Sequence, residues 1–404
     1  MRISTSLIFD TNVSTMNRQQ SNLMTLQQQL SLNSRVTKPS DDPVAAAQAL
    51  TVKQASAVVQ QQMSNQGTAD DALKSLESKL AAIGDIITYA KERTIQAGNG
   101  ALNADDLKSI ATDLKSQFDS LLSLANSTDS NGQYMFAGFK GDTVPFSGNL
   151  SGGVNYQGDQ GQRTLQVSDT RLMPVSDNGM QVFMSVDNLN GSFNASGAAG
   201  NSGAAVISGG TVTGSYTGGQ YGIRFTSGST YEIFDRAADP GMTGAPMATG
   251  TYTSGGTIDL PPAPAAGQVQ VAVSGTPATG DTFTVDPGGQ TDMFSTLQQL
   301  ISVLDNASGA ALQQGLADAG SKLDNALDNV LKLRSQVGSR QTELDALQSL
   351  GTDAQQQYTD RINKLTGLDY ASTISDFSMQ NVSLQAAQQS FIKISGLSLF
   401  NFLK

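Results

Sequence analysis

Asp41 and Asp42, adjacent and followed by Pro43, suggest a paired-carboxylate centre in this 404-residue chain. Two acids share general acid and base work when burial or repulsion splits their pKa values. At the head of a helix, adjacent acids more simply cap free amides and face the positive end of the dipole. Asp129-Ser130-Asn131-Gly132 opens like a calcium loop, but the closing Glu is missing and the segment reads as a turn. The chain has no His and no Cys. That excludes the usual zinc and copper sites, thiol nucleophiles and a Ser-His-Asp triad. No glycine-rich phosphate loop ending in Lys occurs. The expectation is a protein that is not an enzyme, with no catalytic residue, no metal ligand and no cofactor.

The formal charge of −11 argues against a nucleic-acid partner. No apolar run approaches the roughly 18 residues that would span a bilayer, so no membrane partner is expected. The first ten residues hold no apolar core and no small-residue cleavage site. The chain is therefore expected to be cytoplasmic, or exported by a route that needs no cleaved signal.

The spacing of apolar residues is more informative. Met16, Leu23 and Leu30 fall seven apart with Leu26 between them, and Phe377, Leu384 and Phe391 repeat the pattern with Ala387 and Ile394 on the second seam. This is the repeat of a coiled coil, placed at both ends of the chain. A lone helix of that length is marginal in water, so each seam needs a neighbour. Pro39 ends the first helix. Asp42 and Pro43 open a second, expected to run to about Asn65 and to break at Gly67. Thr68 and Asp71 read as a capping box for a third, on which Leu73, Leu80 and Ile87 repeat by seven. Asn103 caps another, with Leu107, Leu114 and Leu121. Two β-like stretches come next, Tyr134 to Phe139 and Val154 to Val167, with Gly158-Asp159 as their turn.

Composition changes from about 175 to 290. This stretch holds more than half of the 41 glycines, no Lys, and two arginines against eight acids, a net of −6. Val, Thr, Tyr and Ile alternate with polar residues between glycines, which predicts an antiparallel β domain with a thin core. Helix returns near Asp292. Ser321 and Asp324 read as the cap of a helix bearing Leu323, Val330, Val337 and Leu344, and Gly351 and Gly367 punctuate the run between it and the last helix. The fold class is mainly α with a β insert: a rod-shaped coiled-coil bundle built from both chain ends, with a distal Gly-rich antiparallel β domain. Three domains are expected: 1–36 with 370–404 as a terminal coiled coil, 37–175 with 290–369 as a bundle with a β-hairpin, and 176–289 as the insert.

The layout and several local sequences resemble the flagellin superfamily of bacteria. The opening Met1-Arg2-Ile3-Ser4-Thr5 and the Gln-rich helix are similar to that family's start. Arg35 followed by Lys38-Pro39-Ser40-Asp41-Asp42-Pro43 resembles the interhelix loop of its hook–filament junction members, where filament subunits usually carry Asp-Asp-Ala-Ala-Gly. Gly132-Gln133-Tyr134-Met135-Phe136-Ala137-Gly138, then Tyr156, Gly158-Asp159 and Arg163, fit the same branch. Asp369-Tyr370-Ala371 is shared with flagellins in general. The resemblance covers roughly residues 1–175 and 290–404. It implies a secreted, extracellular structural component of the bacterial flagellum that forms the ring joining hook to filament. The alternative it leaves open is the major filament subunit. It also implies self-assembly, contacts with a neighbouring hook-associated protein and with flagellin, and a cytoplasmic export chaperone on the C-terminal helix. Met16, Leu23, Leu26, Leu30, Phe377, Leu384, Ala387, Phe391 and Ile394 are the expected assembly interface. Pro39, Ser40, Asp41, Asp42 and Pro43 form an interhelix loop that is a candidate for contact across subunits.

Overall fold

In the computed structural model the described backbone covers residues 5–198, 200–263, 265 and 267–400, with side chains described from 9 to 393. About half the chain is helical. Among the described residues, helices α1 (Thr5–Leu32), α2 (Pro43–Ala97) and α3 (Ala104–Ala125) precede fifteen short strands, and α4 (Met293–Asn306), α5 (Gly309–Thr366) and α6 (Tyr370–Phe400) come after them. Compactness divides the chain into two units, residues 1–65 with 346–404, and residues 66–345.

Two expected helix breaks do not occur. Gly67 lies inside α2 and Gly351 inside α5. At Gly67 the cost of a helical glycine, about 1 kcal/mol, is less than is gained by burying the flanking Ala69, Leu73, Leu76, Leu80 and Ile83. Thr68 and Asp71 therefore lie inside α2 and not at a helix start. The start expected at Ser321 is also interior: its hydroxyl donates to Ala317 O one turn back, and Asp324 pairs with Lys91. Asn103 does cap α3. Its Oδ1 accepts from Asp105 N and Asp106 N at 2.8 and 3.0 Å, and the Asp106 carboxylate accepts in return from Asn103 N.

The larger unit has one helical core. The seven-residue stripes of α2, α3 and α5 are buried along Leu73, Leu80 and Ile87, Leu107, Leu114 and Leu121, and Leu323, Val330, Val337 and Leu344. A cluster of Phe136, Phe146, Phe183 and Phe294 closes one part of it, with ring centroids 5.0–5.7 Å apart. Phe183 belongs to a single π-helical turn, Met180–Met184, which composition alone assigns to the insert. The hairpin also differs from expectation. It is formed by β1 (Phe146–Asn149) and β2 (Gly153–Tyr156), because Asn149 Oδ1 accepts from Ser151 N and Gly152 N and makes the turn there. Tyr134 to Phe139 is irregular apart from one bridge between Tyr134 and Thr128, and Val154 to Val167 is split between β2 and β3 (Thr164–Gln166), which pairs with β4 (Leu172–Pro174).

The insert is entirely antiparallel. A five-stranded sheet has the order β11 (Ala248–Thr251), β10 (Thr230–Asp235), β9 (Tyr221–Ser227), β14 (Thr282–Pro287), β6 (Phe193–Gly197). A second has β12 (Thr257–Leu260), β13 (Val269–Ser274) and β7 (Val206–Ile207), with β8 (Thr211–Val212) also on β13. Alternate residues point inward, as period two requires: Val269, Val271 and Val273 from one sheet, Phe225, Phe283 and Val285 from the other. They form one core of fifteen buried residues, so the expected thin core is not found. Phe193, Tyr221, Phe225 and Phe283 supply the volume that the glycines lack. The neck is the pairing of β5 (Val186–Asp187) with β15 (Gln290–Thr291). A Gln314 clamp ties the insert to α5: its Oε1 accepts from Ile207 N at 2.9 Å and its Nε2 donates to Asp318 Oδ1 at 2.7 Å. Asp318 lines a cleft of about 400 Å³ there, and burial pushes its carboxyl up to about 6.

Candidate assembly surface

The two terminal helices pack antiparallel. Phe9 meets Phe391 with ring centroids 5.0 Å apart, and Gln19 Nε2 donates to Ser383 Oγ at 3.2 Å. Asn22, Leu26 and Gln29 lie beside Asp376, Met379 and Gln380. The seam residues named from the heptads are brought together on the facing sides. Met16, Leu23, Leu26, Leu30, Phe377, Leu384, Ala387 and Phe391 are all half-buried, while the positions between them are mostly exposed. Ile394 is on α6, but its side chain lies outside the described residues, as does the opening Met1–Ser4.

None of the eight is fully buried. In the whole of this smaller unit the only buried hydrophobic residues are Ala45, Ala49 and Val52 among those described. Exposure is the reverse. Of nineteen exposed large hydrophobic residues among those described, twelve lie in this unit, which holds under a third of the chain. Met24, Met379, Val382 and Ile392 are 60 to 69% exposed, and Val44 and Leu350 are 67 and 64%. A helix pair with one seam half-closed and a second apolar face open resembles a bundle with members missing.

The Asp41-Asp42 loop shapes one end of this pair. Asp41 Oδ2 accepts from Lys38 N, Thr37 N and the Thr37 hydroxyl at 2.8–3.0 Å, which holds its carboxyl below the ordinary range. Asp42 Oδ1 accepts from Ala45 N at the head of α2 and Oδ2 from Arg35, and its pKa is lowered by those bonds in that order. Arg35 is the connector. Its guanidinium donates to Asp42 at 3.1 Å and to Leu365 O at 3.0 Å, and its amide donates to Thr366 O at 2.8 Å. Ser34 pairs with Gly367 as an isolated bridge. The loop after α1 is thereby stitched to the loop before α6. Asp42 caps α2 while Asp41 ties the loop to Thr37 and Lys38, and the geometry offers no acid–base pair. Pro39 and Ser40 are exposed and Pro43 opens α2.

The second group of motif residues also converges, in the larger unit. Gly138 has φ +74°, and a Cβ there would fall 2.1 Å from Asp159 Oδ1, so only glycine fits. Asp159 accepts from Phe139 N and Gly161 N. The Tyr156 hydroxyl lies 2.9 Å from Phe136 O and 2.6 Å from Asp159 O, and burial pushes the phenol up to about 12. Arg163 joins Asp129 and Gln133. These interactions make a knot that holds the hairpin, with no reactive group left over. Two contacts are invisible to motif reading. Asp177, fully buried, pairs with Arg340 at 3.2 Å, and Arg171 makes a two-pronged bond to Glu343 at 2.7 and 2.8 Å.

Residues 3–140 match the family described as the bacterial flagellin N-terminal helical region. The chain is 30% identical over 400 residues to flagellar hook-associated protein 3 of Salmonella typhimurium, covering 99% of each. It is 28% identical to the protein of the same name in Escherichia coli over the whole of both chains. The crystal structure of the flagellar junction protein FlgL from Legionella pneumophila superimposes with a TM-score of 0.69 at 29% identity, covering 79% of this chain and all of the other.

Proposed function

The chain belongs to the flagellar hook-associated protein 3 family, and from that premise we propose that it is a structural junction subunit of the bacterial flagellum, exported outside the cell. The observation that carries the mechanism is the small unit with almost no interior. Its helices present more apolar surface than they cover, so their stable state is one in which other helices complete the bundle. We read those helices as belonging to further copies of this chain in a ring, with hook-associated protein and flagellin neighbours on either side. The three-domain division and the rod form are part of this proposal and rest on the co-linear halves of the sequence. A cytoplasmic chaperone that shields α6 before export is also part of it and rests on the family resemblance.

The decisive experiment is Phe391→Asp. It places a charge against Phe9 in a seam that assembly would dry, at a cost of several kcal/mol per subunit. Melting of the larger unit should not move, because Phe391 lies outside it. Cells should make the protein, build hooks and shed filament subunits into the medium. A labelled wild-type chain should mark a single spot at the filament base. Normal filaments in the variant, or label along the whole filament, would refute the assembly role or the junction position respectively.

A further inference from the structure

Four Asn-Gly pairs occur in the chain, at 99–100, 131–132, 178–179 and 190–191. Such pairs are chemically fragile. The glycine nitrogen can attack the asparagine carboxamide carbon, and no Cβ hinders the approach. The fold treats the four differently. At three of them the attacking nitrogen is already engaged: Gly132 N donates to Asp129 O at 3.0 Å, Gly179 N to Phe136 O at 2.8 Å and Gly191 N to Asn188 O at 2.9 Å. Two of the carboxamides are also tied at both ends. Asn178 accepts from Gln181 N and donates to Gln160 O. Asn190 accepts from Ser192 N and Phe193 N and donates to Gly209 O.

Asn99-Gly100 differs in each respect. Both residues are exposed in the turn between α2 and α3. The Gly100 amide makes no hydrogen bond among the described residues, and the space where its Cβ would be is empty to 4 Å. Asn99 Oδ1 accepts from Ala101 N at 3.2 Å. That bond is an Asx turn, in which the side chain reaches across the Gly100 peptide to the residue after it.

We propose that Asn99 is a site of spontaneous, site-selective deamidation. The Gly100 nitrogen loses its proton to solvent and bonds to Cγ of Asn99. The Cγ–Nδ2 bond breaks and ammonia leaves, taking a proton from solvent. Water then opens the cyclic imide at either carbonyl, giving aspartate or isoaspartate. The product carries a new negative charge just past the C-terminus of α2, where the helix dipole is already negative, and close in sequence to Asp105 and Asp106. In the isoaspartyl form the main chain gains a carbon within the turn closed by Leu102 N and Asn99 O. A subunit would thus carry its age as a charge at one defined turn.

The test is peptide mapping of the folded full-length chain during incubation at mildly alkaline pH, with all four asparagines followed by mass. Asn99 should convert roughly tenfold faster than Asn131, since opening a backbone hydrogen bond costs up to about 1.5 kcal/mol. In urea the four rates should draw together. Gly100→Ala should slow conversion at Asn99 and leave the other three unchanged. Equal rates in the folded chain, conversion led by any of the other three, or an Asn99 rate that climbs in urea as steeply as theirs would overturn the proposal.

Discussion

Replacing Asp318 by Asn should make this protein more stable at neutral pH. Asp318 sits on α5 where the insert is clamped, with Oδ1 held by Gln314 Nε2 at 2.7 Å. Burial raises its pKa from 3.8 to about 6, while the Gln314 bond and the charge of Lys322 pull it partly back. Lys322 gives little relief. Its ammonium is bonded to Gln299 at 2.8 Å, and burial lowers its own pKa. Between the two values the folded chain holds a proton that the unfolded chain has lost, so stability falls as pH rises from about 4 to about 6. A difference of about two pKa units amounts to about 3 kcal/mol, fully felt at pH 7. Asn keeps an oxygen that accepts from Gln314 and carries no charge. Asp318→Asn should therefore match the parent below pH of about 4 and exceed it by about 3 kcal/mol at neutrality. Urea unfolding followed by circular dichroism, at a series of pH values, measures this. A variant weaker than the parent by the same amount at every pH would refute the reasoning, because the carboxylate would then be contributing structure and not a desolvation cost.

Phe183→Ala empties the centre of the aromatic cluster and should cost about 3–5 kcal/mol in urea unfolding; a loss under about 1 kcal/mol would show that the π-helical turn is not part of the core. A deletion that spares this turn, removing residues 189–288 across the β5–β15 neck, should leave a helical chain with cooperative melting, and loss of the helical signal would contradict that. Protection of the Thr37, Lys38 and Ala45 amides from hydrogen exchange should fade as pH falls below the ordinary carboxylate value of 3.8, because Asp41 and Asp42 are held below it in the fold. Joint change of Asp41 and Asp42 to Asn should remove that pH dependence. Asn103→Ala should cost about 1 kcal/mol through the lost cap, with thermal melting as the measure.

The helices and the faces they bury are legible because seven-residue spacing is a local signal that packing uses directly. Leu73, Leu114 and Val337 are core residues for the reason their spacing suggests. Breaks mislead where a local cost meets a larger gain from packing, as at Gly67. The hairpin is misplaced because Asn149 makes its turn through a side chain, which alternation does not register. Phe183 falls with the insert by composition, since composition changes before the fold does. Pairings such as Arg35 with Leu365, Asp177 with Arg340 and Gln314 with Ile207 join residues over a hundred positions apart, and nothing in one sequence marks such partners. The open face of the small unit is half legible: the heptads name its seam, but the exposure of Met379, Val382 and Ile392 comes from how little the pair covers.

Gln19 and Ser383, hydrogen-bonded across the terminal pair, are 364 residues apart in the chain. Helix α1 is thus completed by one made several hundred residues later. A ribosome must add all of the intervening chain before α1 can meet its partner, and in any passage that takes the chain end by end the two halves of this surface cannot coexist midway. The pairing is consequently a late event in the making of this surface. Under the proposed function, competence to join other subunits arrives only with α6, and a chain cut before Tyr370 carries half of the pair.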